Sequence, residues 1–333
     1  MGHLAFIDSY PGAYFVQSIL HSAIAAFLVE AALWSWEIRN PRVRQRFLLV
    51  PVVFPLVSFP LFQAIHPDRM SLSFRMEALF DSGRWIHLRL EPAGPVVVLG
   101  LALVCGLTSL VFLFQEFVPV LRHTFDARNE RPNTARRGAE VPEARALLER
   151  FPGDPPELFV LDDEEAALFS TTGRSGAVYI SRGLLRTLPP EQAQAAIAHE
   201  AAHVQRSRRP YLLLLFLARA LLFFNPVTLL EFRRVVQEDE KICDDYAAGL
   251  TGVPGALAEA LRNLYLGDGS DRKAGTGKTI MEEMEALETY SHRLQIESRI
   301  RRLTSEDRPS PRGGRLPALL AGIAVVLTTY FVV

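Results

Sequence analysis

Cysteine is nearly absent from this chain, with two in 333 residues, Cys105 and Cys243. One falls in an apolar run and the other in a charged segment, so no disulfide framework can hold the fold. Neither sign of charge dominates: 36 Lys and Arg stand against 37 Asp and Glu, for a net charge of −1. The electrostatic footprint of a nucleic-acid binder is therefore missing. No internal repeat is apparent, which excludes solenoids and arrays. The N-terminus has no basic region ahead of its first apolar run and no evident small-residue cleavage site, which predicts a retained anchor rather than a signal peptide. Met1-Gly2 is not followed by Ser or Thr at position 6, so myristoylation is not indicated. Ala274 to Thr279 ends like a phosphate-binding loop, but Arg272 stands where that loop requires glycine and no strand precedes it.

What the chain has is apolar surface in long blocks. Hydrophobic residues make up 49% and charged ones 22%, and the mean hydropathy is +0.13. That combination predicts part membrane and part globular protein. Three early stretches approach the length of about 20 residues that a bilayer requires: 13–36, 47–65 and 95–114. A fourth, 316–333, lies at the end of the sequence. Arg39, Arg42, Arg44 and Arg46 follow the first stretch, while no Lys or Arg precedes it. Positive-inside counting therefore puts that loop in the cytoplasm, the loop 65–91 outside, and the segment from about Gln115 to Arg315 inside. His21 and Glu30 within the first stretch are costly in lipid and are expected to face the bundle interior or to pair. The organisation read from these features is a membrane region over 1–118, a linker over 119–150, a cytoplasmic globular domain over 151–310, and a last span over 316–333. A fifth apolar run, 211–225, is too short to cross twice. It is expected either to pack on the globular domain or to dip into the inner leaflet, with Arg206, Arg208 and Arg209 at the headgroups.

The segment His199-Glu200-Ala201-Ala202-His203 carries the chemistry. Pro189-Pro190-Glu191 and the alanines after it predict a helix here. Residues four apart on a helix sit one above the other, so both imidazoles can grip one zinc ion while Glu200 faces the water that zinc would activate. A third ligand is sought downstream, because a catalytic zinc keeps three protein ligands and one open position. Over 229–248, helical spacing puts Leu229, Val236, Glu240, Cys243, Asp244 and Ala247 on one face, with Glu238 and Asp245 opposite. Glu240 is thus the expected ligand. Asp244, one turn on, is expected to accept the outer ring N–H of a ligand histidine. The alternative is that Glu238-Asp239-Glu240 is merely a solvated acidic run. Upstream, Leu158 to Leu161 and Ala177 to Ser181 are predicted strands flanking a turn-rich hairpin connection, 170–176; the strand before the helix is expected to be an exposed edge that receives substrate as an added strand, the alternative being a plain structural hairpin.

These segments together carry a family resemblance. Val178 to Leu185, HEAAHVQR through the motif, Phe224-Asn225-Pro226 and EKICDD from Glu240 to Asp245 resemble the BlaR/MecR-type membrane metallopeptidases. More distantly they resemble the CAAX prenyl-protein endopeptidases and their HtpX-type relatives. The resemblance implies a mainly α integral membrane protein, with four transmembrane helices and a cytoplasmic α+β zincin-like (gluzincin) metallopeptidase domain. It implies one zinc ion held by His199, His203 and Glu240, with Glu200 as general base. His292, followed by Glu297 and Arg299, resembles a late segment in which a histidine stabilises the transition state; Arg293 replaces the proline usual there. The implied setting is the bacterial inner membrane. The implied role is cleavage of a cytoplasmic or membrane-proximal protein, a transcriptional repressor or the chain itself, with a sensor partner acting through loop 65–91. The alternatives are an HtpX-type quality-control protease and a non-catalytic receptor or scaffold with a structural zinc.

Overall fold

The computed structural model describes residues 9–81, 93–118, 135–137, 141–150, 154–171, 176–207, 210–266, 280–305 and 315–333. It divides into two compact units. The first comprises Met1–Asn129, Tyr211–Glu238 and Pro309–Val333, and the second Glu130–Pro210 and Asp239–Arg308.

The first unit is helical. Helix α1 (Tyr10–Ser35) starts at Ser9, whose side chain accepts from the Gly12 amide, and α2 (Pro41–Ile65) starts at Asn40 with Pro41 in its first turn. A short 3₁₀ turn, Pro67–Met70, and α3 (Leu72–Glu77) follow, then α4 (Ala93–Val111), which continues as a π-helical turn over Phe112–Phe117. Among the described residues, three helical stretches are long and apolar enough to cross a membrane: Tyr10–Ser35, Pro41–Ile65 and Leu99–Phe117. The third thus ends three residues beyond the expected boundary, because the π-turn carries the helix on. The last helix of the chain, labelled α12 (Arg315–Tyr330), is apolar but only 16 residues long.

The run 211–225 groups with the first unit. It forms α8 (Pro210–Leu221), which turns at Asn225 into α9 (Pro226–Thr251). Leu215 and Ala218 of α8 and Phe232 and Val235 of α9 are buried in one cluster with Val29, Leu33, Phe47, Leu48 and Val52. Matching apolar faces decide this placement. At the tip, the Asn225 amide donates to Ser22 Oγ (2.8 Å) and to the Ser18 carbonyl (3.2 Å). Its Oδ1 caps α9 by accepting from the Val227 and Thr228 amides. Several charges of this unit pair with one another, as an apolar surrounding favours. Glu30 binds Arg234, which also holds Glu231 at 3.0 Å, and Arg219 meets Glu116 at 3.2 Å. His21 Nδ1 lies 2.7 Å from Ser58 Oγ.

The second unit packs a sheet against helices. Its strands β1 (Ala135–Arg137), β2 (Glu157–Leu161), β3 (Leu168–Ser170) and β4 (Ala177–Ser181) run in the order β1-β2-β4-β3. The two predicted strands, β2 and β4, pair in parallel rather than as a hairpin. The hairpin is β3 with β4, so among the described strands β3 and β1 are the edges and the strand before the motif helix is central. Residues 172–175 of the expected turn lie outside the described residues. Helices α5 (Pro142–Glu149) and α6 (Arg182–Thr187) flank this sheet, and a Cβ at Gly183 of α6 would sit 2.0 Å from the Glu164 carbonyl oxygen. Helix α7 (Pro190–Ser207) lies between the sheet and two further helices, α10 (Pro254–Tyr265) and α11 (Ile280–Thr304). Its Ile197, Ala201 and Val204 meet Val178 and Ile180, while Ala195 and Ala198 meet Leu257, Leu261 and Ile300. Alanine on both faces allows that close approach.

Candidate metal centre

Two faces of α7 are consumed by packing, and the third carries the motif. His199 Nε2 and His203 Nε2 lie 3.2 Å apart. Glu240, from the second half of α9, places Oε2 3.5 Å from the first and Oε1 3.3 Å from the second. The ligand atoms of all three lie within 4.8 Å of one another. Nitrogen and oxygen atoms about 2.0–2.1 Å from one zinc at tetrahedral angles would stand about 3.3 Å apart. The two imidazole nitrogens stand near that value and each faces one oxygen of the Glu240 carboxylate, so the chemistry of this donor set, two imidazoles and a carboxylate, fits a zinc ion.

Behind the donors stands a charged brace. Asp244 Oδ1 approaches His199 Nδ1 to 3.1 Å, without the alignment of a full hydrogen bond. Arg299 of α11 grips Asp244 with two nitrogens at 2.7 and 2.9 Å and reaches Glu240 Oε2 at 2.9 Å. On the other ring, His203 Nδ1 faces Cys243 Sγ at 3.5 Å. The electrostatics favour positive charge at the centre. Burial alone would lower the pKa of His199, but Asp244 and Glu240 outweigh it and raise it to about 9. Glu240 is opposed by burial yet held well below the usual carboxylate range by both histidines, and Asp244 is likewise lowered by His199 and Arg299. Burial, reinforced by Asp239 and Glu240, pushes the Cys243 thiol up, so it stays protonated.

The remaining sequence expectations divide. Glu200 lies beside the histidines on α7, and its Oε2 accepts from Ser170 Oγ of β3 at 2.8 Å. Glu238 is not in the cluster, but neither is it solvated: it is 4% exposed and paired with Arg44 at 3.1 Å. Val236, placed on the apolar stripe by its spacing, is 41% exposed. The face assignment thus selected Glu240 although the stripe is not uniformly buried. Arg206 does not reach outward; it is 2% exposed and bound to Asp239. Arg208 and Arg209 lie outside the described residues. His292 is not brought to the donors. It is exposed on α11, its ring edge-on to Tyr265 at 5.7 Å. Tyr265 itself was not singled out from the sequence. Burial and the nearby Glu200 raise its phenol pKa, a sign that it stands in the field of the site. Ser170 was also missed, since a serine in a strand carries no signal until its partner is known.

Residues 134–236, which include the motif but stop short of Glu240, match the family model described as Peptidase family M48. The chain is also 28% identical over 208 residues to a protein described as Protease HtpX homolog from Acaryochloris marina (strain MBIC 11017), covering 51% of this chain and 68% of that one. These similarities bear out the HtpX-type resemblance and do not extend to the BlaR/MecR subfamily. The motif helix with His199, Glu200 and His203 thus lies inside the stretch, residues 134–236, that is similar to Peptidase family M48.

Proposed function

We propose that this protein is a membrane-embedded zinc endopeptidase, with His199, His203 and Glu240 as ligands, Glu200 as general base and Asp244 as the group that orients His199. The observation that carries this reading is the convergence of His199, His203 and the Glu240 carboxylate beside Glu200, which shares a helix with the two histidines. A zinc ion there would supply Lewis-acid polarisation of the scissile carbonyl and acidify water. The protein's own groups do the rest. Glu200 takes the proton of the attacking water and delivers it to the leaving amine, while Arg299 holds Asp244 and Glu240 in place.

The proposal includes four membrane crossings, with α12 as the fourth, and a site facing the cytoplasm, as the arginine asymmetry supports. The substrate is a cytoplasmic or membrane-proximal protein. Similarity to a protein described as Protease HtpX homolog supports a protease, and the two substrate ranges it could serve are one dedicated regulator, or the chain itself, and many membrane proteins. Comparing newly formed protein N-termini in cells carrying wild type or Glu200→Gln tests both points. Loss of many unrelated cleavages in the variant supports quality control, loss of one supports a dedicated regulator, and an unchanged pattern removes the enzymatic reading.

A further inference from the structure

Strand β3 is an edge strand of the sheet, and its three residues alternate in direction. Ser170 pairs with Val178 and Leu168 with Ile180, so these four share one face. Val178 and Ile180 are fully buried against Ile197, Ala201 and Val204 of α7, which identifies that face as the one toward the motif helix. Phe169 points the other way, stacked on Tyr179 at 5.1 Å. Ser170 therefore puts a hydroxyl on a face that is otherwise aliphatic, where an unpartnered polar group is unfavourable. Its partner is Glu200 Oε2, at 2.8 Å. Among the described residues Ser170 is the hydrogen-bond partner of the Glu200 carboxylate.

We propose that Ser170 is a positioning residue for Glu200, its hydroxyl holding the carboxylate in one orientation from the sheet edge. The inference rests on the reading of Glu200 as general base. A carboxylate on a flexible side chain samples several rotamers, whereas one oxygen tied to the strand leaves the other aimed in a fixed direction. In the reaction the water's O–H bond breaks, its electron pair forms the new bond to the carbonyl carbon, and the proton goes to the untied Oε1. From there it passes to the departing nitrogen as the C–N bond breaks. Ser170 neither gains nor loses a proton. It steadies the base at the start of this sequence, and a hydrogen bond to a charged group of this kind is a strong one.

The test is a double-mutant cycle on purified full-length protein in detergent, loaded with zinc, with fluorescein-labelled unfolded casein as the probe. Ser170→Ala is expected to lower kcat about tenfold with KM and zinc content unchanged. Ser170→Thr, which keeps the hydroxyl, is expected to recover at least half of the loss. In the Glu200→Gln background Ser170→Ala is expected to cost nothing further, because its effect passes through Glu200. The inference is overturned if Ser170→Ala turns over like wild type, loses zinc, or lowers kcat equally in both backgrounds, or if Ser170→Thr does not recover activity. Full activity of Glu200→Gln alone would instead remove the general-base reading beneath it.

Discussion

Glu238 and Glu240 stand two positions apart on α9 and face different surroundings: one binds Arg44, the other meets two imidazoles and Arg299. That difference predicts opposite metal phenotypes. Glu240→Ala should lose most of its zinc, whereas Glu238→Ala should keep a full equivalent per folded molecule while leaving Arg44 unpaired; metal analysis of the purified variants decides. Asp244→Asn keeps the shape of the brace but not its charge, and zinc affinity should fall about 10- to 100-fold in a chelator competition. Proton competition gives a third outcome at this scale. The pKa of His199 in the metal-free fold is raised from 6.5 to about 9. Protonated His199 therefore stabilises that fold fully below about pH 6.5, and the contribution disappears as pH climbs through about 9. Zinc must displace the same proton, so its apparent affinity should climb about tenfold per pH unit from 7 to 9 and then level off. A pH-independent affinity over that window would sink the assignment of His199 as a ligand.

At the scale of elements, the hairpin of α8 and α9 is the feature that periodicity alone left open. Its 12-residue first arm is too short to cross a bilayer, and its amphipathic face fits either a globular domain or a bundle. Within the first unit that face meets complementary apolar surface on α1 and α2, and Ser18 and Ser22 accept from Asn225. Asn225→Ala removes the cap of α9 and both of these bonds. Stability of the detergent-solubilised protein should fall by about 1–2 kcal/mol, seen as a lower apparent melting temperature. An unchanged melting curve would show that the hairpin tip contributes nothing to the bundle. The strands carry a similar lesson. Alternation located β2 and β4, but three residues of β3 are too few to register as a period, and it is β3 that lies at the edge beside β4.

For the whole molecule, the arginine asymmetry makes a topological prediction. Asp163 and Glu77 are both exposed, and both native cysteines are buried, so background labelling is low. In right-side-out vesicles, a cysteine at position 77 should react with a membrane-impermeant maleimide, and one at 163 only after lysis. Labelling at 163 in intact vesicles would move the site to the other compartment.

Composition, apolar run length and the four-residue spacing of His199 and His203 are local properties, and they were enough to read a membrane protein with a metallopeptidase helix. Glu240 could be reached too, because a helix converts spacing into direction. What lies across the fold could not be reached that way. The hydroxyl of Ser170 on Glu200, the guanidinium of Arg299 between Asp244 and Glu240, and the thiol of Cys243 behind His203 join residues 30, 55 and 40 positions apart. Such pairings arise only when separate elements pack. Packing likewise decided that Glu238 and Arg206 are buried in ion pairs rather than solvated, since a charge pattern along the chain does not say which opposite charge folding will bring beside it.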